Sequence, residues 1–316
     1  MKHFLEENNF SNKEIQNIFK QAFNFKEKRS ERPSDDLAGE SWGMLFYKNS
    51  TRTRVSFEVG IREMGGNPVL LDLSSTQIGR GETIQDTVKV LSRFLDGLII
   101  RTHGHDLIKE FSYHAEIPVV NALTDFLHPC QIFSDCMTIL EKSQTSQNPF
   151  EGLKGKKITF FGDTSCNMAN SWILAGALWD LDVWLCGPEE FSPGEEIQNF
   201  IEASDLPKTW TFTSDRVKAA ENADILYTDV WVSMGCEEEK KERMDKMSPF
   251  QVTEQLFEYT NKNAFFMHCM PAHPGEEVTK EVLNSSRSIM FDQAENRLHM
   301  QKAVLKELSN QNKKDS

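Results

Sequence analysis

Residues 44–54 read Met-Leu-Phe-Tyr-Lys-Asn-Ser-Thr-Arg-Thr-Arg, an apolar run followed at once by hydroxyl groups and two guanidiniums. The pattern predicts a short strand, Met44–Tyr47, that turns directly into a helix. A helix start presents unpaired backbone N–H groups and a partial positive charge, and arginines bind phosphate through paired hydrogen bonds. The stretch Ser50–Arg54 therefore predicts a site for a small phosphorylated anion. Considered alone, an N-capped helix with solvated arginines explains the same residues equally well.

The alternation of short apolar runs and amphipathic stretches extends over almost the whole chain. Strands are predicted at Met44–Tyr47, Pro68–Leu73, Gly97–Thr102, Pro118–Ala122, Lys157–Gly162, Val183–Cys186, Ile225–Thr228, Ala264–His268 and Ser288–Phe291. In the first half, helices are predicted near Thr53–Met64, Thr83–Leu95, Asp106–Ala115 and His128–Lys142. Residues 55–61 also fit the alternation of a strand. The overall order predicts an α/β fold of two domains, each a parallel β-sheet flanked by helices.

The domain boundary is predicted from length and local composition. A chain of 316 residues is long for one core and natural for two domains. The stretch Glu141–Gly155, EKSQTSQNPFEGLKG, predicts the end of a helix followed by a linker. We expect a first domain at residues 1–145 and a second at 146–294. Residues 295–316 are expected to form a helix that packs back on the first domain, although spacing alone does not show this return.

The chain is acidic, with a formal net charge of -13. Nucleic acid and anionic membranes need a broad basic surface, so neither is expected as a partner. No apolar stretch approaches the roughly 18 residues that a membrane helix requires, and the N-terminus lacks the apolar core of a signal peptide. Six cysteines without a CxxC pair suit free thiols in a reducing cytosol. We therefore expect a cytoplasmic protein.

Polar clusters follow the predicted strands, at the end where ligands of parallel α/β sheets collect. Besides Ser50–Arg54, they are Arg101–His105, His128–Gln131, Asp163–Asn167, Asp229–Met234 and His268–His273. A solvated loop explains Arg101–His105 as well as a function does, and a lone histidine such as His128 is more often structural than catalytic. Because six clusters recur at strand ends, together they favour a binding site.

The first-half clusters resemble a known family. In order and spacing, Asn49–Arg54, Arg101-Thr102 and His128–Gln131 resemble the carbamoyl-phosphate-binding half of the transcarbamylases. Gln77–Thr83 resembles the family's loop that reaches into a neighbouring subunit's active site. The resemblance implies a half that holds the phosphate and polarises the carbonyl group of carbamoyl phosphate. It implies as binding residues Ser50, Thr51, Arg52, Thr53, Arg54, Gln77, Arg101, His128 and Gln131.

The second half resembles the ornithine carbamoyltransferases. Asp229–Gly235 is similar to their ornithine-binding signature, and Gly162–Ser171 is similar to their loop with an ornithine-contacting asparagine. His268–His273 resembles their His-Cys-Leu-Pro motif, with Met270 in place of the leucine. Phe291–Arg297 resembles the start of their final helix. The resemblance implies ornithine contacts at Asn167, Asp229, Ser233 and Met234. It adds Cys269, Met270 and Arg297 to the carbamoyl-phosphate site. The implied catalytic group is Arg101, His128, Cys269 and Arg297.

Cys269 has two interpretations. A cysteine beside a histidine can be a covalent nucleophile, whereas the resemblance favours a polar group that lines the site near the amine. His268 and His273 could suggest a metal site, but no second Cys/His pair stands at zinc-site spacing, so no metal is expected. The sequence contains no GxxxxGK[ST] and no GxGxxG motif, and no cofactor is expected.

The resemblance implies transfer of the carbamoyl group of carbamoyl phosphate to the δ-amine of L-ornithine, giving L-citrulline and phosphate in arginine metabolism. It also implies a homotrimer or a multiple of trimers. One alternative is a transcarbamylase for another amine such as putrescine, which has no α-ammonium or α-carboxylate for Asp229 and Ser233–Gly235 to hold. The other alternative is a non-catalytic anion-binding protein. The presence of every hydrogen-bond donor proposed for catalysis argues against it.

Overall fold

The structure is a computed structural model that describes residues 1–31, 33–48, 50–71, 81–232 and 240–315. The chain forms two compact units, Met1–Gly152 together with Glu295–Ser316, and Leu153–Ala294. Each unit contains one parallel sheet flanked by helices, so the predicted fold class is confirmed.

The sheet of the first unit contains β1 (Ser41–Phe46), β2 (Asn67–Leu71), β3 (Gly97–Arg101) and β4 (Val119–Leu123). All pairs are parallel, in the order β2-β1-β3-β4. Every residue of β3 is buried, as expected for an inner strand covered on both faces. Phe46 pairs with Arg101, so the chain leaves β1 and β3 at the same edge of the sheet. This register brings the segment after β1, which holds Ser50, towards Arg101.

The sheet of the second unit contains β5 (Lys157–Phe161), β6 (Asp182–Cys186), β7 (Trp210–Thr213), β8 (Ile225–Thr228) and β9 (Phe265–His268). The strands are parallel, in the order β7-β6-β5-β8-β9. Phe161 pairs with Thr228, and Thr228 pairs with His268. The loops after β5, β8 and β9 therefore begin level with one another at one edge.

The helices alternate with these strands. In chain order, α1 to α12 are Asn12–Glu27, Thr51–Glu63, Ile84–Leu91, His105–His114, Pro129–Ser143, Pro149–Gly152, Asn167–Trp179, Glu195–Ala203, Arg216–Ala220, Lys240–Met247, Lys280–Asn284 and Met290–Asp315. Residues 55–61 lie in α2 and not in a strand, because Phe57, Gly60 and Ile61 share one buried helix face. Among the described residues, no helix is both long and apolar enough to span a membrane.

The C-terminal helix α12 packs on α1 of the first unit, as predicted. Hydrogen bonds join Asn17 to Glu307 at 2.6 Å and Lys306 to Gln21 at 3.1 Å. The prediction of a strand at Ser288–Phe291 is wrong. Ser288 makes a single bridge to Phe266, and α12 already begins at Met290.

The elements not predicted from the sequence include the edge strand β7, the helix α1 and the one-turn helix α6, which lies in the stretch predicted to be a linker. β7 has four residues and is only partly buried, so its apolar signal is weak. α1 carries a clearer signal, since Ser11 and Glu14 form a capping box ahead of buried residues at helical spacing.

Candidate active site

The start of α2 combines a structural cap with a buried hydroxyl group. Ser50 is the N-cap, and its hydroxyl accepts a hydrogen bond from the Thr53 N–H at 3.3 Å. Thr51, Arg52 and Arg54 are exposed, and Arg54 lies 4.0 Å from Glu58 one turn along the helix. The N-capped helix of the alternative interpretation is therefore present. Thr53 differs, because its side chain is fully buried.

Arg297 of α12 is the partner of Thr53 within the first unit. Its Nη2 donates to the Thr53 Oγ1 at 2.8 Å, and only 4% of the residue is exposed. A buried guanidinium is costly unless its charge meets acceptors or an anion. The contact therefore places the positive charge of Arg297, from the C-terminal helix, beside the predicted anion site.

His128 lies directly before α5 and is buried beside two guanidiniums. Its pKa lies well below the ordinary value of 6.5, first because of burial and then because of the positive charges of Arg297 and Arg101. Arg101, at the end of β3, is itself buried. The structure thus brings together four predicted site residues from four separate parts of the first unit, namely Arg101, His128, Arg297 and Thr53. Two cations and a neutral imidazole are suited to bind an anion or a developing oxyanion.

Gln131 of α5 has an amide orientation set by a neighbour. Its Nε2 donates to the Asp135 Oδ1 at 2.8 Å, and a carboxylate can only accept, which assigns the NH₂ group to that side. The Gln131 Oε1 is buried, and no described residue donates a hydrogen bond to it. Gln131 therefore presents an acceptor. Sequence reasoning missed Asp135, although its i,i+4 position relative to Gln131 on a helix could have revealed it.

Asp229 and Cys269 meet in the second unit, beyond β8 and β9. The Cys269 thiol donates to the Asp229 Oδ1 at 2.9 Å, and the same oxygen accepts from the Val230 N–H at 2.8 Å. The adjacent His268 is turned elsewhere: its Nδ1 accepts from the Met270 N–H at 2.8 Å, and its Nε2 lies 3.2 Å from Glu277. Because the thiol faces a carboxylate instead of an imidazole, the geometry favours a polar lining group over an activated nucleophile.

The backbone of Met270 is held by the hydrogen bond to His268 described above. Met270 has a positive φ of 61°, and its N–H is held by His268. The loop conformation therefore depends on a backbone hydrogen bond, which is consistent with methionine standing where the family motif has leucine.

Asn167 is the first residue of α7 and is half-buried. The turn before it is shaped by Asp163, whose Oδ1 accepts from the Ser165 N–H at 3.0 Å and from the Ser165 hydroxyl at 2.6 Å. Burial raises the pKa of Cys166, and the negative charges of Asp163 and Asp229 raise it further. The Asp229 carboxylate thus lies close enough to Cys166, the residue before Asn167, to affect its pKa.

Two groups of described side chains place possible metal-ligand atoms within 4.8 Å of one another, namely Asp229-His268-Cys269 and His273-Glu276-Glu277. In the first group, the thiol donates to Asp229 and the His268 Nδ1 accepts from a backbone N–H, so hydrogen bonds already account for these ligand atoms. Three predicted site residues, Gln77, Ser233 and Met234, lie outside the described residues.

Comparison with known proteins gives matches over nearly the whole chain. The family model for the aspartate/ornithine carbamoyltransferase carbamoyl-P binding domain matches residues 2–141, and the model for the Asp/Orn binding domain matches residues 154–308. The ornithine carbamoyltransferase of Halalkalibacterium halodurans is 45% identical over 299 residues, covering 94% of this chain and 91% of the relative.

Solved structures of similar proteins agree in fold. The ornithine carbamoyltransferase from Pyrococcus furiosus aligns with a TM-score of 0.87 and 42% identity, covering 96% of each chain. The anabolic ornithine carbamoyltransferase from Campylobacter jejuni aligns with a TM-score of 0.88 and 34% identity, covering 98% of this chain and all of the other.

Proposed function

Because the chain belongs to the aspartate/ornithine carbamoyltransferase family, we propose that it transfers the carbamoyl group of carbamoyl phosphate to the δ-amine of L-ornithine. The products are L-citrulline and phosphate, and the proposed role is in arginine biosynthesis. We assign residues 1–145 with 295–316 to carbamoyl phosphate and residues 146–294 to ornithine. The observation that carries the proposal is the buried group of Arg101, His128 and Arg297 beside the start of α2.

The start of α2 is the proposed phosphate site. The partial positive charge at the N-terminal end of α2 and the exposed guanidiniums of Arg52 and Arg54 are suited to a phosphate dianion. Phosphate ligands in this proposal are Ser50, Thr51, Arg52, Thr53 and Arg54, with Gln77 supplied by a neighbouring subunit. The phosphate is also the leaving group, so the same contacts stabilise the charge that it gains when the C–O bond breaks.

The carbonyl oxygen of carbamoyl phosphate is assigned to Arg101, His128 and Thr53, with Arg297 holding Thr53 in place. Attack by the amine moves negative charge onto this oxygen, and donors already oriented towards it stabilise the tetrahedral transition state. The low pKa of His128 keeps its imidazole neutral near pH 7, so it acts as a hydrogen-bond donor and adds no third positive charge.

The NH₂ group of the carbamoyl moiety needs acceptors, which distinguish it from the carbonyl oxygen. The buried Oε1 of Gln131 is suited to this role because Asp135 holds the amide in the required orientation. We also assign Cys269 and the backbone carbonyl of Met270 to this substrate. Through its contact with the NH₂ group, Gln131 helps to orient the carbonyl carbon for attack.

The ornithine ligands are assigned by charge. Asp229 accepts from the α-ammonium, while Asn167, Ser233 and Met234 bind the carboxylate end. The deprotonated δ-nitrogen attacks the carbonyl carbon, phosphate departs with the electron pair of the C–O bond, and the proton that the nitrogen loses ends on the released phosphate. Cys269 lines the site near the amine and forms no covalent bond in this scheme.

We further propose a cytoplasmic homotrimer, or a multiple of trimers. The free thiols of the described cysteines suit a reducing compartment. The resemblance of Gln77–Thr83 to a loop that completes a neighbouring subunit's site supports the trimer.

The decisive experiment measures citrulline formation by the purified protein, with ornithine and putrescine compared in parallel. Arg101→Met is expected to lower kcat by about 10²–10³-fold, because one donor to the developing oxyanion is lost. The control is Arg93→Met, which removes an exposed arginine of the same unit and should leave kcat unchanged. Faster carbamoylation of putrescine than of ornithine would overturn the substrate assignment, and normal kcat in Arg101→Met would overturn the role of Arg101.

A further inference from the structure

Arg243 of α10 bridges two loops of the second unit. Its Nε donates to the backbone carbonyl of Trp231 at 3.1 Å, and its Nη2 donates to the Oδ2 of Asp163. Only 12% of the Arg243 side chain and 9% of the Asp163 side chain are exposed. The guanidinium also lies over the ring of Phe191, 4.7 Å from its centroid. A planar fork with donors to two acceptors and a stacked face is a geometry that lysine cannot reproduce.

The two acceptors belong to the loops that carry the proposed ornithine ligands. Asp163 shapes the turn that leads to Asn167, because its other oxygen binds Ser165. Trp231 follows Asp229 by two residues and is almost fully buried. Its indole also packs against the β5 loop: a Cβ added at Gly162 would lie 2.9 Å from the indole nitrogen. The β5 and β8 loops are thus joined by Arg243 on one side and by the Trp231 ring on the other.

We propose that Arg243 is a positioning residue, which sets the spacing between Asn167 and Asp229 and thereby the affinity for the α-amino-acid end of the substrate. This inference rests on the proposed function. Ornithine carries its ammonium and carboxylate on a single carbon atom, so a small change in the spacing of their two ligands weakens both contacts. The backbone pairing of β5 and β8 ends at Phe161 and Thr228, so side-chain contacts must hold the loops beyond that point.

The test varies each substrate in turn for Arg243→Gln and Arg243→Lys. Loss of a buried charge-assisted hydrogen bond predicts that Arg243→Gln raises the ornithine KM roughly tenfold or more. The carbamoyl-phosphate KM should stay within about twofold, since most of its proposed ligands lie in the first unit. Arg243→Lys keeps the charge opposite Asp163 but loses the second contact, so it should fall between the wild type and Arg243→Gln.

L-norvaline supplies a readout that does not depend on the reacting amine. It has both α-substituents of ornithine and no δ-amine, so its inhibition constant should rise by the same factor as the ornithine KM. Asp163→Asn should produce part of the same loss, and combining it with Arg243→Gln should add little, because the two side chains act as one contact. The control is Lys246→Gln, which removes a half-exposed cation of α10 that pairs with Glu190 and should change neither KM.

Thermal unfolding first verifies that Arg243→Gln and Asp163→Asn are folded. The inference is overturned if these folded variants leave the ornithine KM and the L-norvaline inhibition constant unchanged. It is also overturned if the KM values of both substrates rise equally. Failure of the wild-type protein to make citrulline is a separate result, which contradicts the proposed function itself.

Discussion

The side-chain amide of Gln131 is oriented by a single neighbouring residue. A glutamine amide offers a donor and an acceptor at nearly the same place, and the side chain alone does not determine which of them faces a ligand. Asp135, one helical turn away, accepts from the NH₂ group at 2.8 Å and leaves the buried Oε1 as the acceptor. The orientation matters because a carbamoyl group has an NH₂ on one side and an oxygen on the other. Gln131 is therefore suited to the NH₂ side.

Gln131→Met tests this orientation, since methionine has a similar volume and no strong acceptor. Loss of one buried hydrogen bond predicts that kcat/KM for carbamoyl phosphate falls by about 10–100-fold. The measurement is steady-state citrulline formation at saturating ornithine. Gln144→Met, at the exposed end of the same helix, provides the control and should behave as wild type. An equal loss in both variants would contradict the assigned role of Gln131.

At the scale of secondary-structure elements, α12 is held on the first unit by buried polar pairs in addition to apolar contacts. The Lys302 ammonium lies 3.1 Å from Glu63 of α2, and only 3% and 8% of the two side chains are exposed. Gly60 makes this approach possible, because a Cβ there would lie 3.1 Å from the Lys302 Cγ. The Asn296 amide adds hydrogen bonds to Thr138 at 2.9 Å and to Glu141 at 3.0 Å. The position of Arg297 beside Thr53 follows from this packing.

Lys302→Met is expected to destabilise the protein by about 3 kcal/mol, because it leaves the Glu63 carboxylate buried without its nearest cation. The expected value is at the low end of the usual range since Arg29 also lies 3.6 Å from Glu63. Urea unfolding followed by circular dichroism measures the effect. The control Lys20→Met removes an exposed lysine of α1 and should cost less than about 1 kcal/mol. Similar costs for the two variants would show that the buried pair contributes little.

At the scale of the whole molecule, three histidines link stability to pH in the same direction. Burial lowers the pKa of His3 and of His299 from 6.5 to about 4, although Glu295 partly opposes the shift of His299. The pKa of His128 is also well below its ordinary value. At these three positions the unfolded chain therefore takes up protons as the pH falls below about 6.5, while the folded protein remains unprotonated until lower pH. Stability is fully present above the unfolded pKa and is lost as the pH falls towards 4.

The expected result is a free energy of unfolding that decreases steadily between pH 6.5 and pH 4.5, measured by urea unfolding at several pH values. His299→Gln should reduce the slope of that decrease, because one proton uptake by the unfolded state is removed. Gln144→Met is the control, since it replaces an exposed side chain that does not titrate and should leave the slope unchanged. An identical slope in wild type and His299→Gln would show that His299 does not contribute.

Much of the architecture is encoded locally, and for that reason it can be predicted. The alternation of apolar runs with amphipathic stretches specifies parallel sheets, since each strand and helix must bury its own apolar face. The motifs at Ser50–Arg54, Arg101 and His128 lie at or shortly after the ends of their strands, so sequence position alone brings them to the same edge. The incorrect strand at Ser288–Phe291 marks a limit of this reasoning, because its three apolar residues, Ile289–Phe291, can equally belong to the start of a helix, and α12 begins at Met290.

The arrangement of charges within each unit depends instead on contacts between residues distant in sequence. Arg297 reaches Thr53 across 244 positions, and Arg243 reaches Asp163 across 80. The neutral state of His128 arises from burial beside Arg101 and Arg297, neither of which is near it in the chain. Burial and Coulomb interactions depend on distance in space and on the surrounding dielectric, and no local sequence pattern encodes either quantity. Residue types therefore indicate which chemistry is possible, and folding determines the protonation and direction of each group.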